Sequence, residues 1–341
     1  MRANRGLVLG CAVLVLLACF ATEAKDESGA KTILVDCEKG DRINEALDDK
    51  ADDLIIEISG TCQEDVVIKR NNVTLRGIMP GASVVAATTT AIFLDRVSRV
   101  SLENLSAQGG TDDGRGVSLW FSTAVSVSDV WVENGQSDGM KATGSEVLIT
   151  DSHFRNNEGD GLDSEQSSLV FLEGEVEFTG NRGKGLFLAL QSRLTSVAAI
   201  HANGNEESGI ELVAHSSATL VGPLQVMGNG LDGIFVGYGS VLCLVEGDVE
   251  VSANANGMTA KSCGQIHMDE ESWANVHGNT IGVYLHGSSA TFHDVTIEGN
   301  TSSDVVLLFG SRADFEGANT VGTVECDETA LVEGDVSCPV P

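Results

Sequence analysis

The sequence predicts an all-β solenoid, a single-stranded parallel β-helix whose coils average between 23 and 24 residues. Three observations carry that prediction: a glycine marker at near-constant spacing, an apolar–polar alternation after it, and an asparagine at a constant offset from a second apolar run. A Gly followed by an aliphatic residue recurs at Gly116, Gly139, Gly161, Gly185, Gly209, Gly233, Gly257 and Gly282, with Asp304 in the ninth place. A period of this length is too short for an independent domain, and stacked coils are the arrangement that buries its apolar face.

The chain of 341 residues begins with Arg2 and Arg5 ahead of an apolar run over 7–20, the layout of a secretory signal. Two release points compete. Leu16-Leu17-Ala18-Cys19 reads as a lipobox in which Cys19 becomes the lipidated first residue, and Thr22-Glu23-Ala24 suits ordinary cleavage, so the signal covers 1–24 or ends at 18. Residues 25–341 then form one β-helix domain, with an N-terminal cap over about 33–62 and a C-terminal cap over about 320–341. In the N-terminal cap, Ile43, Ala46 and Leu47 share one side of a short helix over 41–47, which would cover the open strand edges of the first coil.

Within each coil the residue after the marker is aliphatic: Val117, Met140, Leu162, Leu186, Ile210, Ile234, Met258, Val283 and Val305. The residue between this position and the next apolar one is Ser118, Lys141, Asp163, Phe187, Glu211, Phe235, Thr259, Tyr284 or Val306. Period-two alternation makes a short strand with one buried face, and it turns this second set outward. A second strand ends at Phe154, Phe178, Ala202, Val226, Val251, Val276 and Ile297, and Asn157, Asn181, Asn205, Asn229, Asn254, Asn279 and Asn300 each follow three residues later. Stacked asparagine amides donate and accept along a column, and Asn and Gly both tolerate the left-handed backbone of a tight turn. A third apolar segment, as at Val147-Leu148-Ile149, makes three strands per coil.

From about residue 33 to 325 the chain resembles the right-handed parallel β-helix proteins of the pectin-lyase-like superfamily. The entry portion, Ile33-Leu34-Val35-Asp36-Cys37, then Ile58-Ser59-Gly60-Thr61-Cys62, Val66-Val67-Ile68 and Val73-Thr74-Leu75-Arg76-Gly77, carries the likeness together with the coils. The resemblance implies a right-handed winding, as parallel crossovers generally have. It also implies that ligands lie along the outer face of one parallel sheet. The comparable column here is Lys141, Asp163, Phe187, Glu211, Phe235 and Tyr284, with Trp120, Glu165, Lys261 and His286 as a second column two residues on. Aromatic faces suit sugar rings and carboxylates suit hydroxyls, although ladders of the same residues also stabilise plain sheets. No catalytic residue carries over: the acidic pairs and Ser/Gly-His-Gly element of the pectin hydrolases do not occur together, and the Asp-Pro-His-Glu run of the alginate epimerases is missing.

Six cysteines remain after the signal, an even number in an exported chain, and proximity suggests Cys37 with Cys62, Cys243 with Cys263, and Cys326 with Cys338. No Cys-x-x-Cys or His-x-x-x-His spacing supports a transition-metal site. The acidic turns Thr111-Asp112-Asp113-Gly114 and Glu158-Gly159-Asp160-Gly161-Leu162-Asp163 offer oxygen ligands, which leaves calcium as the one cofactor to consider.

Lys and Arg number 20 against 50 Asp and Glu, and a net charge of −30 repels nucleic acid and polyanions. The reading is therefore an exported or surface-anchored monomeric rod, non-catalytic, that binds a polysaccharide or a surface protein and meets a membrane only through an N-terminal lipid. The alternative is a carbohydrate-active lyase, hydrolase or epimerase that uses the same face.

Overall fold

The computed structural model describes residues 29–78, 81–112 and 114–339, so the expected signal segment, Cys19 and Asp113 lie outside the described residues. Strands wind into a right-handed parallel β-helix of about twelve coils. Twelve short strands, each from one coil, pair in parallel as a narrow sheet, and the remaining ladder strands form a broad sheet of 21 strands among the described residues. In several coils two of the three expected strands run together, as in Thr123–Glu133, Glu146–Arg155 and Leu169–Thr179. They bend midway at a left-handed residue, Asp129, Asp151 or Gly174 respectively. Asp and Gly tolerate that conformation best, and the bend keeps both halves in the ladder.

The core is a stack of inward aliphatic columns. Val117, Met140, Leu162, Leu186, Ile210, Ile234, Met258, Val283 and Val305 pair in register down the narrow sheet and are completely buried. Opposite them Phe154 and Phe178 stack with ring centroids 5.3 Å apart, as do Phe292 and Phe315.

The asparagine column is a continuous hydrogen-bonded ladder from Asn157 to Asn300. Asn181 Nδ2 donates to Asn205 Oδ1 at 3.0 Å and the Asn181 N–H donates to the same oxygen at 3.0 Å, and this pattern repeats on each coil. The ladder asparagines are not themselves left-handed, contrary to the sequence expectation. The residue before each one is: Asn156, Gly180, Gly204, Gly228, Ala253, Gly278 and Gly299 have φ of 54–71°. The marker glycines have a different cause. A Cβ on Gly161, Gly185, Gly209 or Gly233 would stand 2.5–2.8 Å from the next marker glycine's carbonyl oxygen and 2.7–2.8 Å from Nδ2 of the next coil's ladder asparagine, so the marker leaves room for both. Asp304 occupies the marker position where the ladder ends, and its Oδ1 accepts from the Asn300 N–H and Nδ2.

A second ladder follows the same period, with serine at 122, 145, 168, 192, 216, 240, 288 and 311 and Gly264 in the one other place, a signature that sequence reasoning missed. Ser122, Ser145 and Ser168, and further on Ser240 and Ser311, are buried where the narrow sheet turns into the broad one, and each hydroxyl accepts a backbone N–H from the preceding coil. These serines satisfy turn amides that would otherwise be buried unpaired.

The cap helix is shorter than expected, Ile43–Leu47, with Ile43 and Ala46 buried. Its first N–H groups donate to Glu64, a carboxylate only 2% exposed, at 2.7 Å from Ile43 and 3.2 Å from Asn44. At the other end Arg70 donates to the carbonyls of Asp49 and Ala51. Disulfides join Cys37 to Cys62 and Cys326 to Cys338, at the two ends of the rod. Cys243 and Cys263 are not joined. Register sets His267 beside Cys243, four residues beyond Cys263, which sits in a left-handed turn. Cys263 is exposed in that turn while Cys243 is buried in its strand, so the two thiols do not meet. No helix of the described residues is long and apolar enough to cross a membrane.

Candidate functional site

The outward column of the narrow sheet is assembled as the alternation requires. Lys141, Asp163, Phe187, Glu211, Phe235, Thr259 and Tyr284 pair in register on successive coils, flanked by Ser118 and Val306. Adjacent members are separated by one inter-strand step of about 4.8 Å, so Phe187, Phe235 and Tyr284 recur at about 10 Å. The second column is broken in two. Trp120, Thr143 and Glu165 pair in register, as do Gly237, Lys261 and His286, but the strands Leu186–Leu188 and Ile210–Leu212 end one residue too early to join them.

At the start of this face lies a charged cluster. Lys141 Nζ donates to Asp163 Oδ2 and lies 3.1 Å from Glu165 Oε2. Burial pulls the Lys141 ammonium down, yet its two carboxylate partners outweigh burial and its pKa is raised. Asp163 is 5% exposed, and its Oδ1 is buried without a hydrogen-bond partner. Burial pushes Asp163 up to about 6 against the pull of Lys141, and Asp160 likewise up to about 6 against that of Lys184. Carboxylate oxygens of Asp138, Asp160 and Asp163 lie within 4.8 Å of one another, so the acidic turn read from sequence gains a third member from the preceding coil. These three are the residues that could hold a divalent cation. Glu158 of the same turn points elsewhere and pairs with Arg182.

Farther along, the cations lie over rings. Lys184 Nζ is 4.7 Å from the Phe187 centroid, and Lys261 Nζ is 5.0 Å from that of Tyr284. Asp163 and Glu211 are two coils apart, about 9.6 Å, with Phe187 between them, so they do not form a close acid pair.

Sequence reasoning missed the rim. Phe121, Leu190, Tyr238 and Phe309 stand exposed in left-handed turns beside this sheet, with φ of 46–58°. Bulky side chains rarely adopt that backbone, and retaining four of them there costs of order 1 kcal/mol each or more. Trp120 meets Phe121 edge-on at 5.0 Å, and His286 lies 4.3 Å from Phe309, so the rim extends the aromatic surface of the column. A large apolar residue one or two positions after four of the narrow strands was the available signal.

A family model described as a right handed beta helix region matches residues 115–222. The A-module of Azotobacter vinelandii mannuronan C-5 epimerase AlgE4 is similar with a TM-score of 0.52 at 15% identity, covering 82% of this chain and 85% of that one. The AlgE6 A-module of the same organism reaches 0.50 at 14% identity, covering 94% and 93%, and the periplasmic alginate epimerase AlgG 0.51 at 13%, covering 87% and 85%. No curated protein sequence matches this chain. The coil register and these likenesses together make the chain a right-handed parallel β-helix of the pectin-lyase-like fold.

Proposed function

We propose that the chain is an exported, non-catalytic rod that binds neutral glycans along the outer face of its narrow sheet. The observation that carries this reading is the single in-register column in which Phe187, Phe235 and Tyr284 alternate with Glu211 and Thr259. Half-buried rings offer stacking faces to sugars and Glu211 offers hydrogen bonds to hydroxyls, whereas Thr259 is completely buried and donates to Asp232. The charge of −30 disfavours uronic-acid polymers such as those of the alginate epimerases. A glycan array followed by calorimetry on Phe235→Ala and Tyr284→Ala tests the reading. Loss of binding in both supports it, and unaltered affinity in both rejects it.

A second reading, a carbohydrate-active enzyme, is favoured by one observation. Asp163 carries a buried, unpartnered Oδ1 and a pKa of about 6 beside Lys141, the properties of a proton-transferring carboxyl. Depolymerisation or epimerisation of any polysaccharide in a broad panel, abolished by Asp163→Asn, would replace the binding reading with this one.

A further inference from the structure

The broad sheet has an outer face of its own, and one side chain on it is out of keeping with its neighbours. Trp131 stands on the strand Thr123–Glu133 and is 41% exposed, although nothing about the sheet requires an indole there. Two side chains of the following coil hold the ring. His153, its register partner on the following coil, stacks at 4.1 Å, and the Arg155 guanidinium carbon lies 4.0 Å from the ring centroid. Both face Glu177 on the coil beyond, whose Oε2 lies 3.0 Å from His153 Nδ1 and 3.7 Å from an Arg155 amino nitrogen, although His153 Nδ1 makes no hydrogen bond. The Arg155 Nε is enclosed without a hydrogen-bond partner, so this guanidinium is committed to the stack.

On the other side the sheet drops to a floor of hydroxyls. Ser106 is the register partner of Trp131 on the preceding coil, Ser83 of Ser106, and Thr61 of Ser83. Three rungs at about 4.8 Å make a shelf roughly 10 Å long that ends at an upright, pre-oriented aromatic wall. Gln108 borders the shelf two residues farther along the Ser106 strand.

We propose that this step is a second saccharide site, separate from the narrow-sheet face, which takes a short neutral oligosaccharide with one sugar ring stacked on Trp131. The chemistry selects that ligand. The apolar face of a pyranose matches the exposed part of the indole, while its hydroxyls would meet the Thr61, Ser83, Ser106 and Gln108 groups. A protein segment would want an apolar floor, and an acidic sugar would want a cation, whereas His153 and Arg155 both already face Glu177. The rigid clamp lowers the ordering cost of binding, because the ring need not be immobilised when ligand arrives.

The protein has three tryptophans, so Trp120→Phe with Trp273→Phe leaves Trp131 as the sole indole reporter. Titration with cellotetraose, mannotetraose and maltotetraose is expected to change its emission saturably with at least one of them. In the wild-type background, Trp131→Ala should weaken that ligand about tenfold or more by calorimetry, with Trp131→Phe retaining most of the affinity. Phe235→Ala should leave the Trp131 response intact, which separates this site from the narrow-sheet reading whether that reading stands or falls. No emission change with any of the three sugars at millimolar concentration, a response only to oligouronates, or undiminished binding by a folded Trp131→Ala protein would overturn the proposal.

Discussion

Replacing Asn205 by Ala cuts the ladder at its middle, and the structure sets the size of the effect. Asn205 Nδ2 donates to the Phe178 carbonyl and to Asn229 Oδ1, both at 3.0 Å, and Asn205 Oδ1 accepts from the Asn181 N–H and Nδ2. Two of the groups involved keep another partner: Asn181 Nδ2 still reaches the Phe154 carbonyl, and Asn229 Oδ1 still accepts from the Asn205 N–H. The Phe178 carbonyl stays in the strand ladder with the following coil, so the Asn181 N–H is the group left without a partner inside the turn. At about 1–3 kcal/mol for a buried group left short, the loss is about 2 kcal/mol, a sizeable part of a typical folding free energy. Urea denaturation followed by circular dichroism reads the total. Hydrogen exchange reads its place, because a solenoid coil contacts only its neighbours and protection should fall first in the coils of Asn181, Asn205 and Asn229. A loss below about 1 kcal/mol, or exchange that rises uniformly along the rod, would refute the claim that the ladder holds the coils together.

Asp160 and Asp163 have folded-state pKa values of about 6, above the ordinary aspartate value, so the folded protein binds more protons than the unfolded one between about pH 4 and 6. Their contribution is therefore fully present below about pH 4 and is lost as pH rises through 6; Asp163→Asn should flatten the fall of melting temperature across that window, and an unchanged slope would contradict it. Ile210→Asp places an unpaired carboxylate at a completely buried position and should lower stability by several kcal/mol, whereas an unchanged melting temperature would mean the register is wrong. Reducing the Cys37–Cys62 bond, which closes 25 residue steps, should cost roughly 3 kcal/mol and fray the cap helix before the coils, as proteolysis with mass spectrometry would locate.

The coil period, the inward and outward columns and the asparagine ladder could be read without coordinates. Each repeats from coil to coil, and stacking at a fixed rise turns a sequence period directly into a spatial column. Ile210 is buried and Glu211 faces outward because they are adjacent in a strand, and no long-range information is needed to say so. The cap disulfide Cys37–Cys62 was legible for a related reason, since both cysteines flank one short helix.

What the period does not contain had to come from the tertiary structure. Whether Cys243 meets Cys263 depends on which residue of the next coil lies alongside it, and turn lengths that vary by a residue or two decide that; His267 takes the place. The marker glycines were visible as a pattern, but their cause exists only once two coils are stacked: an asparagine amide from the following coil lies 2.7–2.8 Å from where a Cβ would stand. The same holds for both candidate sites. Asp138 joins Asp160 and Asp163, and Arg155 closes over Trp131, through contacts between residues more than twenty positions apart. Sequence determined which residues point inward and which outward on each coil, because a strand's two-residue period is a local property. Only the stacked structure decided which outward side chains meet, because neighbours across coils are set by register, and register depends on the turns between strands.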